Sequence, residues 1–262
     1  MNVLDFQRMK NEGRKISMVT CYDYTSARVV NESGIDCILV GDSLAMTMHG
    51  YPTTLSATTG MMAMHTAAVA KGAPSKLIIA DLPFLSYRKG LKPAMDSVHK
   101  LIRAGAHAVK LEGVRGHADI VKHIVDSGVP VMGHLGLTPQ SVNALGGMKL
   151  QARDNAAVDV LTAQALQLEE AGCFSLVLEC VPSEAARKMT ALLKIPTIGI
   201  GAGPGVSGQV LVFQDLLGLN PNFRPKFLRT YAGLFESVRT ALNAYDRDVK
   251  AGAFPSENES YS

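Results

Sequence analysis

Five apolar, strand-like runs in this chain stop on residues that can hold a metal ion or move a proton. Ile38-Leu39-Val40 runs into Gly41-Asp42-Ser43, and Leu77-Ile78-Ile79-Ala80 stops at Asp81. Ala108-Val109 leads into Lys110-Leu111-Glu112, Val129-Pro130-Val131-Met132 into Gly133-His134, and Leu176-Val177-Leu178 into Glu179. In parallel α/β folds the carboxyl ends of the strands are where ligands bind and chemistry occurs. Polar groups gathered at that level read as one active site.

Asp42, Asp81 and Glu112 are hard oxygen donors with no partnering Cys and no paired His, a set that suits Mg2+ better than Zn2+. Magnesium takes few protein carboxylates and leaves positions for a substrate's oxygens. One Asp after a strand serves equally well as a helix cap; three at the same level favour a cation site. Lys110 and Glu112 are two apart on one strand and so share a face. Lys110 is read either as an anchor for an anionic substrate or as half of a rim ion pair with Glu112. Glu179 emerges from an apolar strand and is partly desolvated, which suits a general base; the competing reading is a cap or an ion-paired Glu. His134 after Gly133 is read either as a site residue or as a hydrogen-bonded core histidine. The cluster Gly199-Ile200-Gly201-Ala202-Gly203 is neither a Walker A loop nor a dinucleotide fingerprint. Its glycines are expected to let loop backbone approach a ligand or a neighbouring strand.

The elements that must carry these residues alternate along the chain. Strand-like runs at residues 17–20, 35–40, 76–80, 106–111, 129–132, 174–178, 195–200 and 210–213 are nearly all fed by a helix-like segment with a glycine at its end. About eight such βα units in 262 residues predict a parallel α/β fold, specifically a closed (β/α)8 TIM barrel rather than an open doubly wound sheet. One domain over residues 1–262 is expected, with a C-terminal helix and a short polar tail. Two connections, residues 44–55 and 135–154, exceed what a plain barrel needs and are expected to be binding loops or lids.

Composition excludes several classes. The formal net charge is +3 and no Lys/Arg run is interleaved with aromatics, so no nucleic-acid partner is expected. No apolar run approaches the roughly 20 residues of a membrane span. The four cysteines, Cys21, Cys37, Cys173 and Cys180, form no C-x-x-C pair and read as buried fillers in a reducing compartment. The first residues lack a basic segment followed by a long apolar stretch, so a cytoplasmic location is expected.

Taken together, these motifs resemble the ketopantoate hydroxymethyltransferase family. The stretches are Thr20-Cys21-Tyr22-Asp23-Tyr24, Val40-Gly41-Asp42-Ser43-Leu44, Ala80-Asp81-Leu82-Pro83-Phe84 and Val109-Lys110-Leu111-Glu112-Gly113. Gly133-His134-Leu135-Gly136-Leu137-Thr138-Pro139-Gln140, Leu178-Glu179-Cys180-Val181-Pro182 and Ile198-Gly199-Ile200-Gly201-Ala202-Gly203 complete the set, in family order. The resemblance implies a barrel of the phosphoenolpyruvate/pyruvate superfamily. It implies transfer of a hydroxymethyl group from 5,10-methylenetetrahydrofolate, as co-substrate, to 3-methyl-2-oxobutanoate, giving 2-dehydropantoate. By position it implies Asp42, Asp81 and Glu112 for one Mg2+ per subunit, with Asp42 and Asp81 nearest. Asp42, Ser43, Asp81 and Lys110 fall on oxoacid-binding positions, His134 on a site histidine and Glu179 on the proton acceptor. A homo-oligomer, commonly a decamer, is implied as well. The competing readings are a Mg2+-dependent carbon–carbon lyase or mutase of the same superfamily, and a barrel kept only as a scaffold.

Overall fold

The computed structural model describes residues 1–152 and 154–261. Arg153, inside the second long connection, and Ser262, at the end of the tail, lie outside the described residues. The chain divides into two compact units, Met1–Leu211 and Val212–Ser262.

The first unit holds eight strands: β1 Ile16–Thr20, β2 Cys37–Val40, β3 Leu77–Asp81, β4 Ala108–Glu112, β5 Val131–Gly136, β6 Ser175–Glu179, β7 Thr197–Ile200 and β8 Gly208–Leu211. Each pairs in parallel with the next, and β8 pairs with β1, so the sheet closes into a barrel. The open-sheet alternative is thereby excluded. Helices α1 Val3–Asn11, α2 Tyr24–Glu32, α3 Leu44–Thr47, α4 Thr59–Gly72 and α5 Leu91–Arg103 come from the first half. The second half supplies α6 Ala118–Asp126, α7 Val142–Leu145, α8 Asn155–Glu170 and α9 Ser183–Leu192. In the second unit, α10 is Phe213–Leu216 and α11 is Leu234–Lys250.

Side-chain alternation explains how the barrel positions its polar groups. Ile16, Met18, Cys37, Leu39, Leu77, Ile79, Ala108, Met132, Val177, Ile198 and Val210 form one buried apolar cluster. They recur every second residue, so they share the inward face of their strands. The same stripes turn polar one step further on, from Ile79 to Asp81, Ala108 to Lys110 and Glu112, Met132 to His134, and Val177 to Glu179. An apolar floor therefore lies beneath a ring of ionisable side chains. The outward faces are covered by amphipathic helices; α5, for example, buries Ala94, Val98 and Leu101 on one stripe.

Helix α1 was not legible in the apolar pattern. Asn2 caps it by accepting from the backbone N–H groups of Leu4 and Asp5, while Asp5 accepts from Asn2 N. Its Phe6 and Met9 join the barrel's apolar cluster. Lys10 Nζ donates to the carbonyls of Thr190, Leu193 and Ile195 at 3.0, 2.6 and 2.9 Å. Those carbonyls precede β7, so α1 closes the end of the barrel opposite the polar ring.

The last connection also departs from the expected pattern. No helix lies between β7 and β8, and β8 runs Gly208–Leu211 rather than 210–213, with Phe213 opening α10. The glycines of residues 199–208 permit this short return by close approach. A Cβ at Gly203 would sit 2.0 Å from Ser183 Oγ, and Gly203 has φ +75°. The cluster thus serves packing against the start of α9. Gly203→Ala is expected to cost about 1–3 kcal/mol, read by denaturant unfolding; unchanged stability would contradict this reading.

Candidate active site

The ring assembles as strand register dictates. Asp81 pairs with Lys110, Glu112 with His134, and Gly136 with Glu179 across adjacent strands. In-register neighbours in a sheet project to the same face. Lys110 Nζ consequently meets Asp81 Oδ1 at 2.9 Å, with both side chains 4% exposed or less. The ion pair weighed between Lys110 and Glu112 is therefore replaced by one across the β3–β4 step.

His134 lies between two carboxylates. Its Nε2 is 3.2 Å from Glu179 Oε2, and its Nδ1 is 3.4 Å from Glu112 Oε1 and 3.3 Å from Lys110 Nζ. Burial and the Lys110 charge push its pKa down, but the hydrogen bonds to Glu112 and Glu179 outweigh them and lift it to about 9. The imidazole ring thus lies between both carboxylates. Glu179 is the more open of the two, with 18% of its side chain exposed against 3% for Glu112.

On the other side, Asp42 lies two residues past the end of β2, after Gly41, and its backbone N–H donates to Asp81 Oδ2 at 3.0 Å. Gln140 Nε2 donates to Asp42 Oδ2 at 2.8 Å, and Gln140 N donates to Glu112 Oε2 at 2.9 Å. Burial, then the charges of Asp81 and Glu112, push the Asp42 carboxyl well above the usual range. The Asp81 carboxyl is raised as well, burial outweighing its contact with Lys110.

Among the described residues no three His, Cys, Asp or Glu side chains converge closely enough to hold a metal by themselves. Glu112 in particular is taken up by Gln140 N and His134. Two adjacent carboxylates nonetheless fit magnesium, which commonly uses one or two and keeps water or substrate oxygens elsewhere. The charge balance fits too. Four carboxyl groups face one lysine and one histidine, so full ionisation leaves a negative excess that a divalent cation would offset. The unfavourable ionisation of buried Asp42 is what such a cation would relieve.

Ser43 sits beside Asp42, with Oγ 2.8 Å from the hydroxyl of buried Tyr22. Cys180, expected as a buried filler, is half-buried and holds φ +49° immediately after Glu179. Left-handed backbone at a non-glycine residue is strained, and here it sets the turn that follows Glu179. The sequence reading did not assign Gln140, Tyr22 or Tyr87. Gln140 stands in the long connection after β5, and its Thr138-Pro139-Gln140 motif was the available signal.

Comparison with known proteins agrees with this geometry. The family described as ketopantoate hydroxymethyltransferase matches residues 1–257. A 3-methyl-2-oxobutanoate hydroxymethyltransferase of Bdellovibrio bacteriovorus is 60% identical over 260 residues, covering 99% of each chain. Its namesake in Coxiella burnetii is 56% identical over 256 residues, 97% of this chain and 96% of that one. Among solved structures, phosphonopyruvate hydrolase superposes with a TM-score of 0.64 at 13% identity, covering 99% of this chain and 93% of that one. A 2,3-dimethylmalate lyase of the PEP mutase/isocitrate lyase superfamily gives 0.60 at 16% identity, covering 99% and 91%. The structural likenesses establish the barrel alone. With near-complete coverage by close relatives and the whole ring in place, the chain belongs to the ketopantoate hydroxymethyltransferase family.

Proposed function

We propose that the barrel mouth transfers a hydroxymethyl group from 5,10-methylenetetrahydrofolate to 3-methyl-2-oxobutanoate, giving 2-dehydropantoate for pantothenate biosynthesis. The observation that carries this reading is Glu179, a partly open carboxylate held by His134 on the far side of the ring from the Asp42–Asp81 pair. Lys110 and Ser43 hold and orient the oxo acid, with Asp42, Asp81 and His134 lining its site. Glu179 takes the C3 proton, and the resulting carbanion forms the new C–C bond to the folate-borne one-carbon unit, whose two C–N bonds break as water supplies the hydroxyl and tetrahydrofolate leaves. Holding both partners in one geometry removes much of the entropic barrier to that attack. One Mg2+ per subunit, held by Asp42 and Asp81 with Glu112 adding charge behind them, would stabilise as a Lewis acid the negative charge developing on the oxo acid.

Helix α11 supports the oligomeric part of the reading. Phe235, Val238, Leu242, Tyr245 and Val249 are all exposed and repeat at alternating three- and four-residue spacing, the seam by which helices pair. A homo-oligomer, a decamer by family resemblance, would cover that seam. Among the described residues no helix is long and apolar enough to cross a membrane, and the four cysteines are unpaired. Both agree with a cytoplasmic setting.

The test is a turnover assay with 3-methyl-2-oxobutanoate, 5,10-methylenetetrahydrofolate and Mg2+, read by mass spectrometry. Folate-dependent 2-dehydropantoate is expected. Absence of product, with cleavage of a 2-alkylmalate or rearrangement of a phosphonopyruvate instead, would favour the lyase or mutase alternative.

A further inference from the structure

Gln140 is 5% exposed and occupies the 3-10 turn Pro139–Ser141 after β5. Its side-chain amide has two N–H groups and both are used: Asp42 Oδ2 accepts at 2.8 Å and the Leu82 carbonyl at 3.0 Å. Its Oε1 lies 3.0 Å from the Tyr87 hydroxyl. That hydroxyl also lies 3.0 Å from the Glu112 carbonyl and accepts from Glu112 N at 3.1 Å. The Gln140 backbone N–H donates to Glu112 Oε2. A flipped amide would set its oxygen against a carboxylate and a carbonyl, so the network fixes its orientation.

Only an amide fits this position. Glutamate would present an acceptor to Asp42, lysine would add charge and lose the acceptor for Tyr87, and asparagine is one methylene too short. The residue also spans the ring. Three positions earlier in the same loop, Leu137 N donates to the Glu179 carbonyl at 2.8 Å, so one short segment touches both the base strand and the carboxylate pair.

We propose that Gln140 is a positioning residue for the cation site. It occupies Asp42 Oδ2 and so fixes the plane in which that carboxylate faces a divalent ion, while its backbone holds Glu112 behind the pair. This rests on the reading of Asp42 and Asp81 as cation ligands. Partners that orient a metal's ligands are typically worth about 10- to 100-fold in affinity.

The experiment uses Mn2+, an octahedral oxygen-seeking stand-in for Mg2+. Free Mn2+ is read by electron paramagnetic resonance against the full-length wild type and Gln140→Met. The dissociation constant is expected to rise about 10- to 100-fold. The rate of C3 proton exchange of 3-methyl-2-oxobutanoate is expected to recover largely at saturating Mn2+. A merely structural role would leave the metal affinity in place and would not be rescued by more metal. Gln140→Asn keeps the amide but not the reach, and the same loss is expected from it should the Met variant fold poorly. An unchanged Mn2+ affinity in either folded variant overturns the positioning role. Failure of the wild type itself to bind Mn2+ overturns the cation site beneath it, a separate and distinguishable result.

Discussion

Replacing Glu179 with Gln is expected to slow exchange of the C3 proton of 3-methyl-2-oxobutanoate in D2O by about 10²- to 10⁴-fold, the usual contribution of a positioned general base. The change is nearly isosteric. A Gln oxygen still accepts from His134 Nε2, so the 3.2 Å contact seen for Glu179 has a substitute and the turn through Cys180 keeps its support. What is lost is the capacity to hold the proton. On the proposed placement of the oxo acid against Lys110 and Ser43, its affinity should change little, and the defect should fall on the rate. Proton NMR of the C3 signal reads this directly; exchange within threefold of the wild type would remove Glu179 from the role of base.

Lys110→Met is expected to be the most destabilising single change in the ring, by about 3–5 kcal/mol, the usual cost of stripping one partner from a buried ion pair. The methionine replaces the aliphatic stem up to Cε but leaves Asp81, Asp42 and Glu112 without their ammonium, and all are buried. The sign of the pH dependence follows from the raised carboxyls of Asp42 and Asp81. A carboxyl raised on folding favours the native state below its unfolded value, about 3.9, and loses that contribution as pH rises through the folded value. Removing Lys110 raises both further and widens that window toward neutrality. The deficit should therefore be largest near pH 7 and shrink on acidification, measured by urea unfolding in a chelator. A variant as stable as the wild type at pH 7 would contradict the charge balance described for the ring.

The barrel was legible because strands buried on both faces read as continuous apolar runs, as Leu77 to Ala80 does. Of the glycines expected at helix ends, those at 105, 128 and 172 hold φ of +106°, +86° and +92°, the left-handed value a helix end requires, whereas Gly34 has no positive φ and Gly72 is the last residue of α4. Helix α1 escaped notice because only Phe6 and Met9 of its nine residues are buried, too few to show a period. The missing helix before β8 was masked by glycines whose spacing imitates a ligand loop. In the ring, each strand ending announced its own residue, but the partners depend on register between strands. Lys110 was two residues from Glu112 in sequence, yet its ion pair is with Asp81, 29 residues earlier and its in-register neighbour. Gln140 carries no charge and reaches Asp42 across 98 residues, so its Thr138-Pro139-Gln140 motif marked the loop but not the partner.

The most direct measurement leaves folate out. Wild-type protein with 3-methyl-2-oxobutanoate in D2O should lose the C3 proton signal when Mg2+ is present and retain it in a chelator, because the proposed base, Glu179, acts before any one-carbon unit arrives. A C3 signal that persists with Mg2+, in protein that turns over once methylenetetrahydrofolate is added, would contradict stepwise proton removal at this ring.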